Sequence, residues 1–502
     1  MAAQHRSRLC EMHARPDNPR RVVKMMRSIL FALAAFALSS IQGCGTVADV
    51  PYHAVCPGKT GNCSPEELNR AVTVREVGIQ DTGWNACLTS DGPPLKGSPE
   101  LLADFQCSPT STSLLKVFYN QAWLEYNDDG EQQDRAQLTA VLNWIRKEPG
   151  PLFILVYVHG WHHNADTSNG DPRNNAIKFP LLMAREVDQL KRMAIDKKIE
   201  MPKVLGIYVG WRGEEYTSAI QKLLSISGRS EVADTIGSRG VLKANLLEIA
   251  NAARGQNSET RLMVVGHSLG GRMMASMFMP ELKSGNAQPL GPNTMVVTLN
   301  PAVGADCYDP VFGEGGKNPV TARPVWMNIT SEKDSATNLI YSSAHFVGLV
   351  NSCNPSSAAR NKAIGHYKPY LRQVVDQAIY VDGGDPPHKD CMQENTPSLA
   401  VRGPTVWEPD WYKQFDQRLY LSFPPRSDTA RSQNVRIDYA VCVGVEDSEL
   451  PASVLNRGVW NVRSDSSLID FDEGGGNTSG FHNGIISTIL VRLLTEAMYI
   501  TE

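Results

Sequence analysis

The stretch Gly266-His267-Ser268-Leu269-Gly270 sets a hydroxyl between glycines, directly after the apolar run "RLMVV" (261–265) and ahead of "GRMMASMFM". The first run reads as a buried strand and the second as a helix, so the serine falls on the turn between them. A serine hydroxyl is a poor nucleophile until a base takes its proton and a third group orients that base. A second polar concentration lies in "HGWHHNAD", where His159, His162, His163 and Asp166 are metal ligands by residue type. Adjacent histidines point apart on a strand, and no second cluster balances them. The spacing therefore favours acyl chemistry at Ser268 over a metal hydrolase, which chelators would inhibit.

"VVGHSLGG" (264–271) resembles the nucleophile elbow of the α/β-hydrolase superfamily, in its lipase and esterase branch. The resemblance implies a turn so sharp that side chains at Gly266 and Gly270 would collide, with Ser268 in strained dihedrals. It also implies the chain order nucleophile, acid, histidine. "VWMNITSEKDSATN" offers Glu332 and Asp334 past a strand end. Asp334 is preferred because "TSEKDSAT" resembles the acid loop of related bacterial hydrolases; Glu332 and Asp306 stay open as alternatives.

Of eleven histidines, His482 in "NTSGFHNGI" follows the last strand-like run, lies beyond the Gly474-Gly475-Gly476 loop and precedes a final helix. His366, in "AIGHYKPY", is the alternative. "HNGI" resembles the histidine loop of the same hydrolases. His159-Gly160, right after a strand, resembles the superfamily's oxyanion motif and implies backbone donors from Trp161 and Leu269. The expected chemistry is serine acyl transfer on a small-molecule or lipid ester, through Ser268, His482 and Asp334, with no cofactor and no metal. A thioesterase or acyltransferase using the same residues, or a non-catalytic envelope binding protein on the same scaffold, are the other readings.

These side chains need a scaffold that carries them to one edge. Continuous apolar runs at 152–158, 204–209, 261–265, 295–299, 325–329 and 459–462 alternate with helical segments. Such runs suit strands covered on both faces, and the alternation predicts an α/β fold with a mostly parallel central sheet flanked by helices. Residues 44–110, rich in Pro, Gly, Ser and Cys, read as a loop-rich extension, and 111–502 as the hydrolase domain. Residues 351–455, with the strand-like "RLYLSF" and "VRIDYAVCVGV", read as an insertion before the final strand. The segment from Trp211-Arg212-Gly213 to about 240 is a possible cap over the cleft.

The 502 residues carry 42% hydrophobic and 20% charged side chains and a net charge of -4, which gives no electrostatic footprint for nucleic acid. Arg20, Arg21, Lys24 and Arg27 precede an apolar run from Ile29 to Leu38 that is too short to span a bilayer. Residues 1–43 thus read as a secretory signal, with Met25 or Met26 as a natural start. Ile41-Gln42-Gly43-Cys44 resembles a bacterial lipobox, which implies lipidation of Cys44 and a membrane-anchored, periplasm-facing protein, more readily on the outer membrane than the inner; plain secretion is the alternative. Setting aside Cys10 and Cys44, eight cysteines remain, an even set that suits disulfides in an exported chain. Spacing does not fix their connectivity; sequential pairing (56–63, 87–107, 307–353, 391–442) is the working expectation.

Overall fold

The protein is described by a computed structural model at residues 47–58, 63–79, 86–88, 95–96, 106–107, 114–214 (without 169), 225–340 (without 322), 352–381, 419–423, 437–445, 457–464, 468–469, 476–485 and 487–499. Cys10, Cys44, Cys391, the signal segment and residues 215–224 of the expected cap lie outside them.

The apolar runs become strands of one twelve-stranded sheet. In chain order the strands are β1 (Thr73–Ile79), β2 (Ala86–Cys87), β3 (Leu115–Glu125), β4 (Leu152–Val158), β5 (Lys203–Gly210) and β6 (Arg261–His267), then β7 (Thr294–Leu299), β8 (Trp326–Ser331), β9 (Gln373–Val381), β10 (Leu419–Phe423), β11 (Ile437–Val445) and β12 (Val459–Ser464). Their spatial order is β10-β11-β9-β12-β8-β7-β6-β4-β5-β3-β1-β2. Every neighbouring pair from β3 to β9 is parallel, and antiparallel pairs close both margins. The chain has an α/β fold.

All seven residues of β4 are buried. Leu152, Ile154, Val156 and Val158 join the apolar cluster on one face, and Phe153, Leu155 and Tyr157 the cluster on the other. That is why the run is continuously apolar rather than alternating. One face is covered by α2 (Arg135–Lys147), α4 (Ile226–Ser238), α5 (Leu242–Gln256), α6 (Leu269–Lys283) and the short α7 (Asp309–Phe312); the other is covered by α3 (Asn175–Lys197) and α9 (Thr488–Met498).

Three segments add detail to the sequence reading. Within 44–110, α1 (Pro65–Arg70) forms with its Ser64–Glu67 capping box, and β1 pairs along β3. Within 351–455, β9 joins β12 in parallel and carries β11 and β10 outward, so these strands widen the sheet. His482, expected on a loop, lies in a short helix, α8 (Gly476–Asn483). The disulfides Cys56–Cys63, Cys87–Cys107 and Cys307–Cys353 are present; the 391–442 pairing lies outside the described residues.

An N-terminal strap runs along the carboxyl ends of β3 and β5. The buried Glu125 carboxylate, closing β3, accepts the backbone N–H groups of Tyr52 and His53 at 2.7 and 2.8 Å. The His53 ring stacks on Trp123 with centroids 3.6 Å apart. Asp49 accepts from the Asp128 N–H, and the Val47 carbonyl accepts from Arg212, just past β5.

Candidate active site

Four strand ends on one edge of the sheet supply the candidate residues. β6 ends at His267, and Ser268 makes the turn into α6 with φ 55° and ψ -116°. This left-handed conformation is strained for a side-chain-bearing residue. The flanking glycines are required by space: a Cβ at Gly266 would stand 2.6 Å from the Gly270 carbonyl, and one at Gly270 would strike the carbonyl of Val158. The turn is fixed by the Ser268 N–H donating to the Leu299 carbonyl at 3.0 Å and by the Ser268 carbonyl accepting from Ala302 at 3.1 Å.

His482 Nε2 lies 2.8 Å from Ser268 Oγ. Its Nδ1 faces Asp334, 3.1 Å from Oδ1 and 3.0 Å from Oδ2. With Nδ1–H donating to the carboxylate, Nε2 is left with a lone pair toward the hydroxyl. Asp334 is fully buried and also accepts from the Ala336 and Thr337 N–H groups and the Thr337 hydroxyl. Burial alone would raise its pKa; the charge of His482 and the hydrogen bonds from His482 and Thr337 outweigh that and hold it at about 2.

The alternatives fall elsewhere. Glu332 is exposed and pairs with Arg463 at 2.9 Å. Asp306 is buried beside the Cys307–Cys353 bridge, where it accepts from the Asn354 N–H at 2.8 Å. His366 stands behind the acid: its Nε2 is 3.0 Å from Thr337 Oγ1. Since that hydroxyl gives its proton to Asp334, its oxygen accepts from His366 Nε2–H.

The loop after β4 presses against the serine. A Cβ at Gly160 would stand 2.7 Å from the Ser268 Cβ. Leu269 opens α6, where the first N–H groups have no acceptor within the helix. Trp161 follows Gly160, and its indole N–H donates to Ser225 Oγ at 3.1 Å. His159 is completely buried between the rings of Tyr208 and Trp211. Its Nδ1 donates to the Gly160 carbonyl at 2.9 Å, and its Nε2 accepts the Trp211 N–H at 3.2 Å. Burial lowers its pKa to about 4, so it is a neutral brace with both nitrogens engaged. Among the described residues no group of three or more His, Cys, Asp or Glu side chains converges as metal ligands would; His159, His162, His163 and Asp166 do not form one.

Sequence reasoning missed Thr337, described above, and Asn300, and it missed a second role of His267. Asn300, at the end of β7 with φ 44°, donates through Nδ2 to the carbonyls of Phe481 and His482, both at 2.9 Å. Its Oδ1 accepts the Ser331 N–H at 2.9 Å, three residues before Asp334. One buried amide therefore ties the strand that carries the acid to the helix that carries the histidine. His267, assigned only to the elbow, has its Nε2 2.8 Å from the same His482 carbonyl and donates to it. Burial, then the charge of His482, lower its pKa to about 3 and keep its ring neutral. The available signal for Asn300 was an asparagine directly after an apolar run and before a proline, a type that tolerates positive φ.

No protein-family model matches the chain, and no curated protein matches it. A solved structure described as the Tle1 effector bound to the VgrG spike from the Type 6 secretion system is similar at 12% identity, over 70% of this chain and 84% of that chain, with a TM-score of 0.18.

Proposed function

We propose that the protein is a serine hydrolase of carboxylic esters, related in design to the lipase and esterase branch of the α/β-hydrolases. The observation that carries the reading is the hydrogen-bonded series Ser268 Oγ, His482 Nε2, His482 Nδ1 and Asp334, assembled from residues 214 and 148 positions apart. Ser268 Oγ attacks the ester carbonyl while Nε2 takes its proton; the imidazolium, held by Asp334, returns that proton to the leaving alcohol. Water then attacks the acyl-serine, gives a proton to His482, and the carboxylic acid leaves as Oγ regains its proton. The N–H groups of Leu269 and Trp161 hold the oxyanion, each contributing about 3 kcal/mol in the transition state. We further assign Cys44 as the lipidated mature N-terminus, anchoring the enzyme to the cell envelope. Three disulfides fit the oxidising compartment that export implies.

The test is labelling of the mature chain by a fluorophosphonate probe, beside Ser268→Ala and His482→Ala. Labelling of the wild type alone, with turnover of short p-nitrophenyl esters, is the expected result. A folded wild type that does not label overturns the hydrolase reading in favour of a binding protein.

A further inference from the structure

Residues 352–370, part of the long stretch between the acid and the histidine, fold back against the strand that carries the acid. The Cys307–Cys353 disulfide joins this arm to the loop after β7. Asp309, opening α7, accepts from the Asn354 amide at 2.8 Å and from the Tyr370 hydroxyl at 2.7 Å, so both ends of the arm are held. Within it the Ile364 N–H donates to the Val303 carbonyl at 2.9 Å, and the Ile364 carbonyl accepts from the Asn461 amide of β12 at 3.1 Å. Gly365 sits so close to β8 that a Cβ there would overlap the Thr330 side chain. The next residue is His366, whose Nε2 lies 3.0 Å from the hydroxyl of the buried Thr337. Burial lowers the pKa of His366 against the pull of Asp334, so above pH 6.5 the ring is neutral and carries one proton. The position of that proton matters. With Nε2–H donating, the single Thr337 proton is left for Asp334; in the other tautomer Nε2 would take it and the acid would lose that bond.

We infer that His366 is a positioning residue of the serine site, which the arm 352–370 delivers to the acid, and that it acts by directing the Thr337 proton onto Asp334. The inference rests on the hydrolase reading. His366 touches no reacting atom. Its effect reaches His482 only through Thr337 and Asp334, so it bears on kcat and leaves KM alone.

The test compares His366→Leu, His366→Gln, Thr337→Val and the double variant His366→Leu/Thr337→Val on a short p-nitrophenyl ester. Leucine removes the donor at similar bulk, and glutamine keeps an N–H at similar reach. His366→Leu is expected to lower kcat about tenfold with KM unchanged, the scale of one hydrogen bond, and His366→Gln to recover most of that loss. Thr337→Val should cost about 30-fold, because the charged acid then loses the bond itself. Adding His366→Leu to Thr337→Val should cost nothing more, whereas independent packing effects would multiply to about 300-fold. A multiplied loss overturns the inference, as does an equal loss in the leucine and glutamine variants or a His366→Leu kcat within twofold of wild type. A second readout needs no turnover: the downfield proton resonance of His482 Nδ1–H, which faces Asp334, should shift in His366→Leu and return toward its wild-type position in His366→Gln. A resonance that does not move in His366→Leu overturns the inference. A shift in a protein that turns over no ester supports the link from His366 to the acid while overturning the hydrolase reading.

Discussion

Asn300 and Asp334 make separable contributions at the residue scale. Removing the acid's charge while keeping its shape, Asp334→Asn, is expected to lower kcat by about 10⁴-fold, because the imidazole loses its tautomer and its counter-charge. Glu332→Gln should leave kcat near wild type, since Glu332 is exposed and paired with Arg463. Steady-state kinetics on the two variants decides between the acids. Asn300→Asp keeps the acceptor for Ser331 N–H but sets a carboxylate against the Phe481 and His482 carbonyls. We expect kcat to fall by about 10²-fold with KM unchanged, as for a base displaced by about 1 Å. A parallel fall in KM and kcat, or an unchanged labelling rate, would remove Asn300 from the site. The elbow, acid and histidine were legible because their chemistry demands particular side-chain types in a particular chain order. Asn300, Thr337 and the second role of His267 were not, because they act through backbone carbonyls and a hydroxyl, which leave no spacing signature.

The elements explain what else the sequence hid. The six continuous apolar runs all became strands, since burial on both faces leaves only one reading of such a run. β1 was overlooked because it is half exposed, with its first three residues outside and its last three inside. α8 was read as loop because Gly, Ser, Thr and Asn are poor helix formers. Three donors, two on Asn300 contacts and one from His267, fix its Phe481 and His482 carbonyls and override that propensity. The loop after β5 is the counterpart on the side of the proposed oxyanion donors. It braces the loop after β4 through the His162 N–H donating to the Gly213 carbonyl at 3.1 Å. Gly213→Ala would drive a methyl group into the Gly160 carbonyl. We expect kcat to drop by about 10²-fold, the scale of one lost oxyanion donor, while circular dichroism keeps the native spectrum. A kcat within twofold would show that the two loops are not coupled.

Opposing titrations shape the stability of the whole molecule. His159, His163 and His267 are all buried neutral, and burial is the leading cause of lowered pKa in each. The unfolded chain protonates them near 6.5 and the folded one far lower, so the unfolded state binds more protons below pH 6.5. Stability therefore falls as pH drops through 6.5, by up to about 1.4 kcal/mol per pH unit for each ring. Glu186 works in the other direction. Burial raises its pKa to about 8 against the hydrogen bond from Thr495. Its contribution is complete below the ordinary carboxylate value and is lost as pH rises toward 8. Maximal stability is expected near pH 6 to 7, and Glu186→Gln should flatten the alkaline limb and steepen the acid limb, since the opposing slope of Glu186 runs through both. Denaturant midpoints measured from pH 5 to 8.5 give both slopes. An unchanged alkaline limb in the variant would mean that Glu186 is ionised in the folded protein.

The separation of 214 residues between Ser268 and His482 also sets a clock on biosynthesis. The elbow emerges from the ribosome long before its base, and at about 5–20 residues per second the wait is about 10–40 s. Throughout that interval the Ser268 hydroxyl lacks the His482 ring that accepts its proton in the folded chain. On the hydrolase reading, turnover begins only once the last helices are in place.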